Sequence, residues 1–369
     1  MHPSSPTQIG IIGCGNISNA YFNACNRFPF LHVKACSDLV AAAADAKAKE
    51  HNCKAVTIEA LLADPEIVLV INLTTPQAHA ELDLRIIAAG KHVYSEKPFA
   101  LDRFEGAAVV AAANAKGLRV GCAPDTCLGA AIQTARALLD ENAIGRVVGF
   151  SANMINGGHE SWHPSPEFYY KKGGGPLFDM GPYYLHALIT LLGPVVRVTG
   201  FNRTTNNKRT IASRPKRGTV INVEVPTHIT SILEFACGAI GTLTTTFDVP
   251  GGHTMPQLEL WGTHGSLQVP DPNGTGGPVR IRRIGDKDWV ERFHTHPYRE
   301  GSRGVGVADL IDALNNDRPH RANADVALHA VDIMQAIHEA SDTGRAVTIT
   351  TTCDQPQAMD ASKQEWSEV

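Results

Sequence analysis

The sequence predicts an α/β protein in two parts: a doubly wound parallel sheet, then an α/β domain on a large, open, mostly antiparallel sheet. Three observations carry this. The first 125 residues alternate short apolar runs with helical patterns, Thr- and Val-rich runs take over from about Arg146, and a glycine turn closes the first apolar run. Near-continuous apolar strands separated by helices mark a parallel sheet covered on both faces. Alternating apolar and polar residues mark an antiparallel sheet with one covered face. The division falls at 1–125 and 126–369.

The elements follow in order. "QIGIIGCG" reads as a strand, 17–27 as a helix, "HVKACSD" as a strand and 40–51 as an Ala-rich helix. "EIVLVINLT", the helix "QAHAELDLRIIAAG" and the strand "HVYSE" come next, then helix 102–116 and strand "RVGCA". Helices are expected at 129–142, 178–192, 303–316 and 323–342. Strands are expected at "VVGFSANMI", "VVRVTGFNRT", "THITSILEFA", "AIGTLTTTF", "QLELWG" and "VRIRRIG". Thr244 and Thr246 sit among apolar residues on the uncovered face, and an exposed sheet of that kind predicts a homodimer or homotetramer. The last twenty or so residues are polar and read as a loosely held tail.

Composition excludes several classes. With 369 residues, 43% of them hydrophobic and 19% charged, the chain can bury a large core and is not a disordered one. A net charge of −4 gives no footprint for nucleic acid or an anionic membrane. No apolar run approaches the ~20 residues that cross a bilayer. No apolar leader precedes Ile9, and the eight cysteines are scattered without a C-x-x-C. Both point to buried free thiols in the cytoplasm. No Cys/His group has ligand spacing, so no metal is expected. The basic stretch 203–217 reads as a polar surface loop, and Arg318 to Arg321 as a solvated turn.

Gly13-Cys14-Gly15-Asn16-Ile17-Ser18 directly follows the first strand and opens a helix. Gly13 permits the tight turn, and Gly15 lets the backbone approach a pyrophosphate seated on the helix N-terminus. Ser18 stands where the third glycine of the fingerprint is usual. The second strand ends in Asp38, 23 residues after Gly15, where a carboxylate holds a ribose 2′-hydroxyl. It would repel a 2′-phosphate, and no Arg or Lys follows it in "SDLVAAAA", so NAD is favoured over NADP.

Two further strand ends carry polar loops where parallel sheets bind ligands, Thr74-Thr75-Pro76 with His79, and Glu96-Lys97-Pro98. A buried lysine at such a point can join proton transfer or polarise a hydroxyl; a solvated Glu96–Lys97 pair is the plain alternative. Farther on, Asp179, Tyr183 and His186 recur at helical spacing after three glycines and a proline. Asp179 falls near the expected helix start, where it could equally be a cap; Tyr183 and His186 could equally be core residues.

The pattern resembles the Gfo/Idh/MocA family of nicotinamide-dependent oxidoreductases. "GIIGCGNIS", "TTPQAHAELDLRIIAAGKHVYSEKPFALD", "GRVVGF" and "GGGPLFDMGPYYLHAL" carry the likeness, which covers nearly the whole chain. It implies an N-terminal Rossmann domain, a C-terminal domain whose open sheet forms dimers or tetramers, and sugars, sugar derivatives or cyclitols as substrates. Lys97 matches the family's EKP lysine and Asp179 its substrate-binding aspartate. Where the family usually has histidine, four residues after that aspartate, this chain has Tyr183, and His186 lies three residues too late. Hydride would pass between the nicotinamide and a carbon bearing oxygen, with Tyr183 as acid–base group. Its ordinary pKa near 10 requires a nearby cation, for which Lys97 is the candidate. Lys97 as the base, with Tyr183 orienting, stays open. So do a redox-neutral glycosidase or lyase and a nucleotide-sensing regulator. The loop 157–170, dense in histidines and aromatics, is expected to line the substrate space, with His159, Trp162 and Tyr169 joining Lys97, Asp179, Tyr183 and His186.

Overall fold

The computed structural model describes residues 5–301 and 303–361. The chain opens with β1 (Thr7–Ile12), α1 (Ser18–Arg27), β2 (Leu31–Ser37), α2 (Ala41–His51), β3 (Lys54–Ala55) and α3 (Ile58–Ala63). It continues with β4 (Ile67–Asn72), α4 (His79–Ala88), β5 (His92–Ser95), α5 (Arg103–Ala115) and β6 (Val120–Cys122). These strands form a six-stranded sheet of order β3-β2-β1-β4-β5-β6, every pair parallel. Val, Ile and Leu at 9, 11, 33, 69, 70, 71 and 93 are buried on both faces, as a helix-covered sheet requires. Strand order reverses between β1 and β4, which opens a crevice at their carboxyl ends.

The second part contains α6 (Ala130–Asp140), β7 (Val147–Ile155), α7 (Gly175–Leu192), β8 (Val195–Arg203), the small pair β9 (Lys208–Thr210) and β10 (Val220–Asn222), β11 (His228–Phe235) and β12 (Ile240–Thr246). Then come β13 (Leu258–Gly262), β14 (Gly265–Val269), β15 (Val279–Arg283), β16 (Val290–Arg292), α8 (Val305–Asn315), α9 (Ala324–Thr343) and β17 (Val347–Thr348). Nine strands form one sheet, β16-β15-β14-β13-β7-β12-β11-β8-β17, in which only β7 and β12 run parallel. Along β11, Ile229, Ser231 and Leu233 are buried while Thr230 and Ile232 are exposed, so helices cover one face only. Phe201, paired with Thr230, Trp261 and Ile240 are exposed. Thr244 is half-buried; Thr246, expected on the open side, is buried, and its hydroxyl accepts from the Asp248 N–H.

Four expectations are corrected. α7 starts at Gly175, not 178, because the glycines allow a sharp turn: Gly173 and Gly175 have φ of 85° and 78°. The stretch 203–217 is partly the hairpin strand β9, whose Arg209 pairs with Glu160 and Asp248. Arg318 and Arg321 are not solvated; both pair with buried Asp309, and Arg318 also with Asp312. The tail is pinned as far as Met359, whose N–H donates to Gln133, while 362–369 lie outside the described residues. Six cysteines are buried, Cys53 is half-buried and Cys237 is exposed, all as free thiols.

The chain folds back across its own division. The Cys122 N–H donates to the Ala322 carbonyl, extending the first sheet at its β6 edge. From α5, Arg103 lies 3.0 Å from buried Asp332 on α9 without hydrogen-bond alignment, and donates to Glu339 at 2.8 Å. Asp332 also accepts from the N–H and hydroxyl of both Thr350 and Thr351.

Candidate active site

A cavity of about 770 Å³ opens where the carboxyl ends of β1, β4 and β5 face α7 and the loops of the second sheet. Its cofactor side is lined by Asn16, Ile17, Thr74, Thr75, Pro76, Glu96 and Lys97. In the turn after β1, Gly13 has φ +101°, and a Cβ there would lie 2.6 Å from the Leu73 carbonyl group. Only glycine fits that turn. A Cβ on Gly15 would meet nothing within 4 Å, so the backbone is open to an approaching ligand. Asp38 accepts from the N–H groups of Cys14 (2.7 Å) and Val40 (2.8 Å), which fixes its carboxylate at the end of β2. Ser18 takes the third-glycine place without strain: it is fully buried and its hydroxyl donates to the Gly15 carbonyl at 2.7 Å. The amides of Gly15, Asn16 and Ile17 take no main-chain acceptor among the described residues. A dinucleotide fits this donor set: free amides at a helix start for the pyrophosphate, and a fixed carboxylate for the ribose.

His79 does not line the cavity, contrary to expectation. It is 1% exposed, and its ring nitrogens lie 2.7 Å from the Pro98 oxygen and 3.0 Å from the Thr74 oxygen. It ties the two strand-end loops together. Beside it, Asn72 donates to buried Asp83 and accepts from the Thr74 N–H and hydroxyl. Burial lifts the Asp83 carboxyl to about 7.

The chemistry sits where Lys97 meets α7. Its Nζ donates to the carboxylate and to the main-chain oxygen of Asp179, both at 2.7 Å. Asp179 lies in the second turn, so it is not a cap. Pro182, inside the helix, has no N–H to return to the turn before it. Burial alone would lower the Lys97 ammonium, but Asp179, then Tyr183 and Glu96, outweigh it and hold its pKa above the ordinary lysine value. Burial likewise works against the Asp179 carboxylate, and Lys97 with His159 brings it down to about 2. In this arrangement the Lys97 ammonium is a hydrogen-bond donor and a cation beside Asp179. Glu96 accepts from the Tyr21 hydroxyl at 2.8 Å and from the Lys97 N–H at 2.9 Å, and so fixes the turn that aims the lysine.

His159 is brought in as expected, its Nε2 3.0 Å from Asp179. Trp162 and Tyr169 pack edge-on to it, and all three line the cavity with His163 and Phe168. Trp162 is 61% exposed, so its ring forms a wall at the mouth. Burial raises Tyr169 to about 12. His186 is not in the site. It is 2% exposed, and burial lowers its imidazole to about 4. Seven residues along a helix return to about the same face, but one turn farther in this face meets the core rather than the cavity.

Tyr183 lines the cavity and is 5% exposed. Lys97 lies over its ring, 5.2 Å from the centroid. The cation on its hydroxyl is instead Arg303, whose Nη1 donates to the phenol oxygen at 3.0 Å. Burial pushes the Tyr183 hydroxyl above its ordinary value, and Lys97 and Arg303 oppose that shift. The sequence reading missed Arg303, together with Asn156, Asp271 and Asn273 of the cavity wall. Nothing in "GSRGVG" marks an arginine as part of a site.

A nucleotide crevice opening onto a lysine, a carboxylate and a tyrosine defines a Rossmann-domain oxidoreductase. Residues 7–123 match the oxidoreductase family with an NAD-binding Rossmann fold, and residues 132–268 match the GFO/IDH/MocA C-terminal domain. The chain belongs to the GFO/IDH/MocA family, and its first part is that family's NAD-binding Rossmann domain. It is similar to levoglucosan dehydrogenase of Pseudarthrobacter phenanthrenivorans, 25% identical over 282 residues, 69% of this chain and 71% of that protein. Inositol 2-dehydrogenase of Rhizobium meliloti is 29% identical over 175 residues, 47% of this chain and 51% of that one. The structure of levoglucosan dehydrogenase in complex with NADH shares the fold, with a TM-score of 0.81 at 21% identity over 94% of this chain and 100% of that one.

Proposed function

We propose that this chain is a dehydrogenase or reductase that transfers a hydride between NAD and a hydroxyl or carbonyl carbon of a sugar, sugar derivative or cyclitol. One observation carries the reading: Lys97, Asp179 and Tyr183 converge in the same cavity as the strand ends of the nucleotide crevice. Gly13, Gly15, Asn16, Ile17, Asp38, Thr74, Thr75, Pro76 and Glu96 hold the dinucleotide, which supplies or takes the hydride when bound. Lys97 donates to the reacting oxygen and stabilises its developing negative charge. Asp179 keeps Lys97 charged and shares His159, leaving both to bind hydroxyl groups. In reduction the carbonyl oxygen takes the Tyr183 proton, and in oxidation the phenolate accepts it back. His159, Trp162 and Tyr169 form the side on which the C–H face of a ring packs. Residues 126–369 serve as the substrate and assembly part, and the open sheet face is the homodimer or homotetramer interface. The relatives' names support polyhydroxylated substrates.

The test is absorbance of reduced nicotinamide with purified protein, NAD or NADP, and a panel of sugars, cyclitols and sugar acids. Net reduction is expected with one substrate class. Lys97→Met should lose more than ~10²-fold in kcat while binding NAD as before. Turnover without net reduction, with nucleotide released only on denaturation, would replace this reading by a redox-neutral one.

A further inference from the structure

We propose that Arg303 is the positioning residue for Tyr183, aiming the phenol proton into the substrate space and favouring the phenolate. The inference rests on the reading of Tyr183 as the acid–base group and goes beyond it, since it names what controls that group.

The direction of the hydrogen bond is fixed by chemistry. A guanidinium only donates, so in the Arg303–Tyr183 contact at 3.0 Å the phenol oxygen must accept. The proton of Tyr183 is therefore directed elsewhere. No described residue accepts it, and the open side of the side chain is the cavity. Without this contact the hydroxyl could rotate.

The arginine is held at both ends. Its Nη2 donates to the Asn273 side chain at 2.8 Å, and the Asn273 N–H is in turn fixed by Asp271 at 2.9 Å. Its backbone is moored by the next residue. The N–H groups of Gly304 and Gly306 donate to the buried carboxylate of Asp125 at 2.7 and 2.8 Å. Gly304 has φ +89°, and a Cβ there would lie 2.4 Å from that of Ala24. Asp125 follows β6 and Ala24 lies on α1, so elements of the nucleotide sheet set the position of a side chain that acts on α7.

The two cations beside Tyr183 divide the work. Lys97 is committed to Asp179, whereas Arg303 forms no ion pair among the described residues. The groups that face the phenol are Lys97 and Glu96 after β5, Asp179 on α7, Tyr169 before α7, and Arg303 before α8. Lys97 and Arg303 favour the phenolate; burial, Glu96 and Asp179 oppose it. Arg303 is the cation in contact with the oxygen itself.

The experiment compares Arg303→Met, Arg303→Lys, Tyr183→Phe and the Tyr183→Phe/Arg303→Met double variant. In the oxidative direction the acid limb of the kcat profile should move up by about one unit in Arg303→Met, and kcat on that limb should fall about tenfold with KM little changed. Arg303→Lys, which keeps the charge but loses the planar fork that reaches Tyr183 and Asn273 from separate nitrogens, should recover part of the shift. Ultraviolet titration of tyrosinate in nucleotide-free protein, taken as a difference from Tyr183→Phe, should show the same displacement without turnover. The double variant should be no slower than Tyr183→Phe. An unchanged pH limb and tyrosinate midpoint, with only KM raised, would overturn the proposal and make Arg303 a substrate contact. Should Arg303→Met not fold, the limb and midpoint of Arg303→Lys decide. Full activity in Tyr183→Phe would instead remove the acid–base reading itself, a separate outcome.

Discussion

Asp179 shows how much one side chain can organise. Its carboxylate holds the Lys97 ammonium on one oxygen and the His159 ring on the other. Residue type and position singled out Lys97, Asp179 and Tyr183, and the family resemblance, not the spacing, supplied their expected roles. Arg303 was not singled out, because its approach depends on where two distant loops meet, and His186 misled because helical spacing says nothing about which neighbour covers a turn. Trp162 belongs at this scale too. Its exposed ring forms the cavity wall without bracing the core. Trp162→Ala should raise KM about 3- to 10-fold, the worth of one aromatic face, with kcat and melting temperature nearly unchanged. Steady-state kinetics on the substrate found in the panel decides this, and an unchanged KM would place the substrate ring elsewhere.

Elements were readable where a periodic apolar pattern had a clear stop, and less so where turns decided. Five of the six strands of the first sheet fell where their apolar runs did, since both faces are covered; β3, two residues long at the edge, has no apolar run to mark it. α7 began a turn early because glycine allows backbone angles that a pattern of side chains does not report. The network behind β4 has its own signature in pH. Asp83 on α4 is raised to about 7 from an ordinary value of 3.8, so the folded protein holds a proton that the unfolded chain releases. The stability this contributes is full below the unfolded value and is lost as pH rises through the folded one. Asp83→Asn, a neutral mimic of the protonated acid, should therefore melt about 2–4 °C above the parent at pH 8 and show no gain at pH 4. The buried imidazoles of His186 and His329, both lowered to about 4, act in the opposite direction. Calorimetric melting of parent and variant at each pH isolates Asp83, because the histidines are common to both.

At the scale of the molecule, the open face of the nine-stranded sheet exposes Phe201, Ile232, Ile240 and Trp261. That face is the one proposed above as the association surface. Phe201→Glu should shift the sedimentation profile toward the single chain while leaving the cofactor crevice able to bind NAD. A parent protein that sediments as a single chain would remove this reading. The composition of the strands announced an open sheet, but its nine-strand order, and the return of the last helices onto the first sheet, arise from pairings between segments far apart in the sequence.

That return has a hereditary side. The edge strand β6 finds its last partner at Ala322, and α5 is clasped by α9 through Arg103 and Asp332. Exchange of the nucleotide-binding part alone would therefore have to respect both contacts. A chimera carrying a foreign segment 1–125 would have to bring a strand edge in register with Ala322 and a cation for Asp332. Exchange between relatives would have to carry both ends of the chain together or be followed by repair at the seam.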